Sequence, residues 1–543
     1  MKQKIDIPVT MRDGVTLSTD IRIPDGPGPF PAIVTRTPYN NSGFAPNDPY
    51  LLSGYVSVLQ DCRGRFDSEG RFAPFLEAED GADTLAWVKA QPWCDGRIGM
   101  LGNSYCATCQ LTAAWMRPPG LLAITPGIMG CDLFKDMVYY NGVLNLSMAF
   151  TWGAGVSGRS GQSHETSDLQ NLFWHLPLAD MDETAGFRMP HFRECLAHPV
   201  HDRYWTASSV EQHYGEFNVP ALHSGGWYDF FSEGTTRNFQ GIRAKGGPLA
   251  RASQRLVMGP WPHGLGGRLT GQLDFGEPAT MAIDTLYKRW LDRWVKGIDN
   301  GVDREPAVQI FMMGANEWRD ETQWPPADAR DMALFLASGG AANTLIGNGD
   351  LTPVKPAGGA SLDRYTYNPA NPAPTLGGGM YGFPNGPTDH APLERRDDVL
   401  VYTGNRLEQP VTIAGYIKGV LYIESDCVDT DFVMRLCDVY PDGRSIILCD
   451  GIARTRFRDG LDQEVFMKPG TVYEIEIPMS VTANVFLPGH RIRVEVTSSC
   501  FPRFARNLNT GEPSATGTRM QLAHQTVWHS ASRPSRIVLP ILP

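Results

Sequence analysis

The sequence lacks the features of several protein classes. No uninterrupted apolar run reaches the roughly 18 residues that a membrane-spanning helix needs, and the first residues contain no apolar signal core. The formal net charge of −11 is opposite in sign to the basic surface of a nucleic-acid-binding protein. No fixed-period repeat and no low-complexity tract interrupts the chain. We therefore expect a cytoplasmic protein that binds neither nucleic acid nor a membrane.

The ten cysteines lack the spacing of a zinc site. Cys106 and Cys109 are three residues apart, but no second pair and no nearby histidine completes a tetrahedral ligand set. Cys106 next to a candidate nucleophile is best interpreted as a small buried apolar residue, as cysteine often is. We expect reduced, mostly buried thiols and no metal.

What is present is enough chain for two or three domains, because 543 residues exceed one compact core. Up to residue 130, buried strand patterns (31–36, 54–60 and 98–101) alternate with an amphipathic helix at 77–90, which predicts a mostly parallel sheet. Residues 131–214 are rich in Met, His and aromatic side chains, which favours a helical insertion. Strand patterns resume over 215–327. Residues 328–543 show short alternating runs and turns, typical of an all-β sandwich or jelly roll.

The run Gly-Met-Leu-Gly-Asn-Ser-Tyr-Cys-Ala (99–107) is the strongest local signal. An apolar stretch ends in a tight turn at Ser104, and a helix-compatible stretch follows, which is the layout of a nucleophile elbow. Ala107 stands where the usual pattern has glycine, and alanine tolerates a positive φ less well. An ordinary strand-to-helix turn with an incidental serine is an equally good interpretation of this stretch alone.

A serine nucleophile needs a base and an acid that orients it, and in α/β-hydrolases they follow in the order serine, acid, histidine. Asp229 and His263 satisfy that order, and each follows a strand pattern and a Gly-containing turn. Asp202 and Asp274 are weaker candidates for the acid, because Asp202 precedes the renewed strand patterns and Asp274 follows His263. His223 sits inside a strand pattern, which makes it a weaker candidate for the base. The other histidines fall in the insertion or the β region (His164, His175, His191, His198, His201, His213, His390, His490, His524 and His529).

Two groups are candidates to stabilise an oxyanion. The backbone N–H of Tyr105 directly follows the nucleophile. The phenol of Tyr39 follows a strand pattern and could donate from the same sheet edge, although a loop aromatic packed on the core is as good an interpretation from the residues alone.

Five ordered motifs carry a resemblance to a known family. They are Arg-Thr-Pro-Tyr (36–39), Asp-Cys-Arg-Gly-Arg-Phe-Asp-Ser-Glu-Gly (61–70), Asp-Gly-Arg-Ile-Gly-Met-Leu-Gly-Asn-Ser-Tyr (95–105), Gly-Gly-Trp-Tyr-Asp (225–229) and Gly-Pro-Trp-Pro-His (259–263). Together they resemble the cocaine esterase/Xaa-Pro dipeptidyl-peptidase (CocE/NonD) family of serine hydrolases. The run 501–511 is similar to the β domain of that family, so the resemblance spans almost the whole chain.

The resemblance implies an α/β plus all-β architecture. Its parts are an α/β-hydrolase core (1–130 and 215–327), a helical cap (131–214) and a C-terminal jelly roll (328–543). It assigns Ser104 as nucleophile, Asp229 as acid and His263 as base, with the Tyr39 hydroxyl and the Tyr105 N–H in the oxyanion hole. Trp152 and Phe231 resemble residues that line the acyl pocket. Ala107 departs from the family pattern, so a mild strain or a shifted helix is expected there.

The implied function is hydrolysis of a small-molecule ester or amide through an acyl-enzyme, with no cofactor. The resemblance makes a homo-oligomer plausible. An Xaa-Pro dipeptidyl-peptidase or a cephalosporin-type acylase is the alternative enzyme, and an inactive carbohydrate-binding or scaffold protein is the alternative from another class.

Overall fold

The computed structural model describes residues 1–43, 49–160, 168–186, 188–358, 361–382 and 384–543. Within these residues, ten strands form one sheet whose order, counted along the chain, is 1-2-4-3-5-6-7-8-9-10. The strands are Lys2–Thr10, Thr16–Ile23, Phe30–Thr37, Val56–Asp61, Cys94–Asn103, Leu121–Gly127, Ala221–Gly226, Gln254–Gly259, Val308–Met312 and Glu317–Glu321. The predicted α/β-hydrolase core is confirmed.

The central strands of this sheet pair in parallel, and antiparallel pairs stand only at its two edges. Every residue of Val56–Asp61, Ala221–Gly226 and Gln254–Gly259 is buried. Strands covered on both faces read as continuous apolar runs rather than alternating ones, which is why the sequence pattern identified them. Their carboxyl ends meet at one edge, where ligands bind in such sheets.

Helices cover both faces of the sheet. They are Pro49–Leu52, Ala78–Lys89, Tyr105–Trp115, Ser232–Lys245, Pro248–Ala252 and Ile283–Lys296. The last buries Leu286, Trp290 and Leu291 on one side and ends at Gly297, whose φ of 75° is the left-handed C-cap conformation that glycine adopts without strain.

Between the strands Leu121–Gly127 and Ala221–Gly226 the chain leaves the sheet and forms a mainly helical cap. It opens with a π-helical turn, Phe134–Val138, and a short hairpin of Tyr139–Tyr140 and Val143–Leu144 follows. Its helices are Leu146–Val156, Leu169–Leu172, Met181–Thr184, Pro190–Ala197 and Arg203–Thr206.

The C-terminal region is almost entirely β, in a sandwich-like arrangement, as the jelly-roll prediction required. Its strands are Arg330–Ala337, Asp350–Thr352, Leu362–Tyr367, Leu400–Thr403, Val411–Ser425, Asp431–Val439, Ser445–Arg454, Tyr473–Phe486, Arg491–Thr497, Ala523–Ser530, Arg533–Pro534 and Arg536–Leu542. Its apolar core is continuous with Trp227 and Tyr228 of the hydrolase core, so the two regions bury apolar surface against each other.

Two predictions from composition can be compared with this structure. All ten cysteines are buried and none forms a disulfide, as expected. Among the helices of the described residues, none is both long enough and apolar enough to cross a bilayer.

Candidate active site

Ser104 lies at a sharp turn between the strand Cys94–Asn103 and the helix Tyr105–Trp115. Its φ of 56° and ψ of −126° are unusual for a residue with a side chain, and such strain is a mark of functional sites. The turn is tight because a Cβ at Gly102 would stand 2.4 Å from the Cβ of Cys106. Gly102 is therefore required by the close approach of the helix.

Ala107 does not carry the strain that its sequence pattern suggested. It lies inside the helix Tyr105–Trp115, outside the set of residues with positive φ, and it is fully buried. Its N–H donates to the Ser104 carbonyl at 2.8 Å. Among the elbow residues that carry a side chain, only Ser104 has a positive φ, so alanine fits at 107 and the expected strain is absent there.

The structure brings Ser104, His263 and Asp229 together in one relay. His263 Nε2 lies 3.0 Å from Ser104 Oγ, and His263 Nδ1 lies 3.0 Å from Asp229 Oδ1. Asp229 is 2% exposed and its Oδ1 also accepts the N–H of Phe231 at 3.1 Å. These distances are those over which a base takes a proton from serine while an acid holds its ring.

The loops that carry the acid and the base are bonded to each other. The Trp227 N–H donates to the Gly259 carbonyl at 2.9 Å, and the Tyr228 N–H donates to the Trp261 carbonyl at 3.0 Å. A Cβ at Gly226 would stand 2.0 Å from the Trp261 oxygen, so glycine is required for this approach. The motifs 225–229 and 259–263 are thus two halves of one backbone support.

Tyr39 stands beside the elbow, with its ring 6.5 Å from that of Tyr105. The residue is 44% exposed, and desolvation of its hydroxyl raises the pKa of Tyr39 well above its usual range. The hydroxyl accepts the indole N–H of Trp152 at 3.0 Å, which leaves its own proton available to another acceptor. The Tyr105 N–H is the first of its helix and has no partner within that helix.

Aromatic side chains from three regions surround this centre. Trp152, from the cap helix Leu146–Val156, stacks on Phe75 at 5.3 Å and on Tyr105 at 6.0 Å between ring centroids. Phe231 is buried with its ring 5.7 Å from His263. The structure therefore places both predicted acyl-pocket residues at the centre, Trp152 on the Tyr39 side and Phe231 on the His263 side.

Three aromatic neighbours escaped the sequence interpretation. Phe230 packs 4.6 Å from His263, and Tyr381, from the β region, lies 6.1 Å from the same ring. A Cβ at Gly379 would stand 3.4 Å from the Asp229 carbonyl oxygen, so this loop covers the acid. Phe75, whose ring stacks on Trp152, is the third. For Tyr381 the available sequence signal was an aromatic residue in a glycine-rich loop, but only tertiary packing brings that residue to His263.

The competing histidines take other roles. His223 is buried and its Nε2 bonds Gln254 at 2.9 Å, inside the sheet. His191 lies near the cleft, with its ring 5.6 Å from Trp152, and burial lowers its pKa to about 4, so it stays neutral. His164 lies outside the described residues. None of the other described histidines bonds Ser104.

Two buried groups have the residue types of metal sites, Cys62–Glu77–Cys109 and His390–Cys437–Glu495. Glu77 already pairs with Arg36 at 2.8 Å and accepts the Tyr105 hydroxyl at 2.8 Å. Burial raises the pKa of the Cys62 and Cys437 thiols, which disfavours the thiolate that a metal requires. In the second group, Glu495 pairs with His390 at 3.0 Å and with Arg435 at 3.3 Å. In each group, the carboxylate is therefore already paired with a buried arginine.

Comparison with known proteins agrees with this geometry. Residues 13–265 match the model of the X-Pro dipeptidyl-peptidase (S15 family), and residues 300–538 match that of the X-Pro dipeptidyl-peptidase C-terminal non-catalytic domain. The chain is 38% identical to the cocaine esterase of Rhodococcus sp. (strain MB1 Bresler), over 99% of this chain and 98% of that one. The chain belongs to the CocE/NonD family.

Two solved structures resemble this CocE/NonD hydrolase along its whole length. An aminopeptidase from a marine sediment Thaumarchaeota archaeon has a TM-score of 0.87 at 26% identity, covering 100% of this chain and 96% of that one. An alpha-amino acid ester hydrolase also has a TM-score of 0.87, at 25% identity, covering 99% and 96%. The family places the chain among serine hydrolases of the esterase type.

Proposed function

We propose that Ser104, His263 and Asp229 are the catalytic triad of an esterase whose oxyanion hole is formed by the Tyr39 hydroxyl and the Tyr105 N–H. The observation that carries the proposal is the continuous relay from Ser104 Oγ through His263 to Asp229, with both distances at 3.0 Å. Ser104 stands at the carboxyl edge of the sheet, on the strained turn that a nucleophile elbow requires.

The reaction follows from this arrangement. His263 takes the proton of Ser104 as Oγ attacks the ester carbon, and Asp229 stabilises the imidazolium that forms. Tyr39 and the Tyr105 N–H donate to the oxyanion of the tetrahedral intermediate. His263 then gives its proton to the leaving alcohol, and a water molecule, deprotonated by His263, releases the acid from Ser104.

The substrate we propose is a carboxylic ester with an aromatic or otherwise apolar acyl group. Trp152, Phe75 and Phe231 present ring surfaces near the nucleophile. The Asp229 carboxylate bonds His263 at 3.0 Å, so in this proposal it orients the base and does not bind the substrate. The similarity to the cocaine esterase of Rhodococcus supports the same substrate class. No cofactor enters the proposed reaction.

An Xaa-Pro dipeptidyl-peptidase is the second candidate, because both matching family models carry that name. That activity needs an acidic group to hold the substrate's ammonium. The rings around Ser104 supply cation–π surfaces (Tyr39, Phe75, Tyr105, Trp152, Phe230 and Tyr381). In the cavity next to Asp229, the carboxylates of Asp136 and Asp450 are already paired with Arg237 and Arg503. This aromatic lining favours the ester.

A matched substrate pair separates the two. We would assay a series of p-nitrophenyl acyl esters and Ala-Pro-p-nitroanilide with the wild-type protein and with Ser104→Ala. We expect ester cleavage that the substitution abolishes, with aromatic acyl groups preferred over acetyl. Cleavage of the anilide alone would make the protein a dipeptidyl-peptidase. Failure on both substrates and of fluorophosphonate labelling at Ser104 would refute a working triad.

A further inference from the structure

Arg65, in the motif 61–70, is buried where an arginine is costly. Arg65 is 1% exposed, and within the described residues no carboxylate forms an ion pair with its guanidinium. Its neighbour Arg63, by contrast, pairs with Asp13 and Asp80. A buried cation without a counter-ion is expensive to keep, and burial lowers the pKa of Arg65. Such a residue calls for an explanation beyond packing.

The guanidinium instead bonds carbonyl oxygens from two separate regions. Arg65 Nε donates to the Pro38 carbonyl at 2.9 Å, directly before Tyr39. Arg65 Nη1 donates to the carbonyls of Val156, at 2.7 Å, and Gly158. Val156 is the last residue of the cap helix Leu146–Val156, whose carbonyl end carries partial negative charge. One side chain thus joins the Tyr39 loop to the end of the cap helix.

A second contact joins the same two regions from the other side. Trp152, in that cap helix, donates its indole N–H to the Tyr39 hydroxyl at 3.0 Å. The backbone reinforces the junction, because the Phe66 N–H donates to the Arg159 carbonyl and the Arg159 side chain donates to the Ser68 carbonyl. The Tyr39 loop and the cap helix are therefore held at two points, one at the backbone of Tyr39 and one at its hydroxyl.

We propose that Arg65 and Trp152 are positioning residues that hold the Tyr39 hydroxyl in the oxyanion hole across the junction of core and cap. Arg65 fixes the backbone before Tyr39 relative to the cap helix. Trp152 fixes the hydroxyl, and because it occupies a lone pair, the phenolic proton is left to point at the oxyanion. This inference rests on the proposed function, since it assumes that Tyr39 binds the oxyanion.

A positioning role predicts an effect that disappears when the positioned group is removed. Arg65→Lys keeps the positive charge but cannot reach both sets of carbonyls, and Trp152→Phe keeps a ring but removes the N–H. Displacement of a reacting group by about 1 Å can slow an enzyme on the order of 100-fold. We expect each substitution to lower kcat about 10- to 100-fold in the presence of Tyr39, with a smaller change in KM.

The test is a pair of double-mutant cycles with Tyr39→Phe, using p-nitrophenyl acetate, whose acetyl group is too small to depend on the ring surface of Trp152. In the Tyr39→Phe background, we expect Arg65→Lys and Trp152→Phe each to change kcat by less than about threefold. Arg63→Lys is the matched control, since it alters the same motif without touching the Tyr39 loop, and we expect near wild-type kcat.

Additive effects would overturn the proposal: if Arg65→Lys costs the same factor with and without the Tyr39 hydroxyl, it acts on folding or elsewhere. Wild-type kcat in a folded Arg65→Lys protein would do the same. If that variant fails to fold, the Trp152→Phe cycle decides alone, and additivity there refutes the positioning role. Wild-type kcat in Tyr39→Phe would instead remove the oxyanion assignment itself, while Ser104→Ala still reports on the triad.

Discussion

The two sides of the proposed catalytic centre are built in different ways. Ser104, Asp229 and His263 all stand on loops at one edge of one sheet, and the acid and base loops are bonded to each other. Tyr39 and the ring surfaces around it depend on contacts between the core, the cap and the β region. The proposed proton relay thus depends on one sheet, whereas the proposed oxyanion and acyl side depends on how three regions meet.

The largest difference between the two sides should appear on removing the nucleophile. Ser104→Ala deletes the atom that forms the acyl-enzyme, so we expect kcat for esters to fall by on the order of 10⁴ or more. The measurement is the steady-state hydrolysis of a p-nitrophenyl ester, with retained thermal stability as the control for folding. Near-normal turnover in this variant would end the triad assignment.

Removing one proposed oxyanion donor should lower kcat less than removing the nucleophile does. Tyr39→Phe keeps the ring in the cleft but removes the hydroxyl, and loss of one oxyanion donor lowers kcat about 10²- to 10³-fold. We expect KM to change little, because the donor acts in the transition state. An unchanged kcat would make Tyr39 a packing residue. The proposed oxyanion side would then not depend on the contact between core and cap.

The β region should contribute a still smaller effect. Tyr381 reaches the rings of His263 and Phe230 from a loop of that region, and an aromatic contact is worth about 0.5–1.5 kcal/mol. We therefore expect Tyr381→Ala to lower kcat/KM roughly 2- to 10-fold. Tyr381→Phe, which preserves the ring, is the control and should remain close to wild type. A loss confined to the hydroxyl would contradict the contact described here.

The smallest effect on turnover is expected at Asp61, which supports the Tyr39 loop. The prediction there concerns the dependence of stability on pH. Asp61 accepts the Asn41 N–H at 2.7 Å, and burial raises the pKa of Asp61 to about 7. The unfolded carboxyl titrates near 4, so between about pH 4 and 7 the folded state binds more protons. Its contribution to stability is therefore full below about pH 4 and is lost as pH rises through about 7.

Asp61→Asn removes this titration while keeping an oxygen for Asn41. We expect the variant to gain stability relative to wild type by a few kcal/mol, as an order of magnitude, when pH is raised from 5 to 8. Urea midpoints of both proteins at the two pH values measure it. Parallel pH dependences would show that Asp61 is ionised throughout this range.

The same contrast explains what could be predicted from sequence. The three residues of the proposed triad follow strands of one sheet, and their loops need glycine at close approaches such as Gly226, so the motifs carry local signals. The strand patterns were found because buried parallel strands are uniformly apolar. Trp152 and Phe231 came only from the family resemblance, and no local signal marks the bond from Trp152 to Tyr39.

Other parts of the site depend on packing between distant segments. Tyr381 stands more than 100 residues after His263, and only the docking of the β region brings the two rings together. The sequence also suggested strain at Ala107, whereas Ala107 lies inside the helix that begins at Tyr105, and only Ser104 among the elbow residues with a side chain has a positive φ. A departure from a motif has a structural cost only where the backbone needs the missing residue.

The hydrogen bonds from Trp227 to Gly259 and from Tyr228 to Trp261 couple the two loops mechanically. A displacement of one loop moves the other, so the carboxylate of Asp229 and the ring of His263 keep their separation. Side chains of the cap and of the loop around Tyr381 take no part in these two bonds. They can therefore be exchanged to reshape the cleft while that separation is preserved.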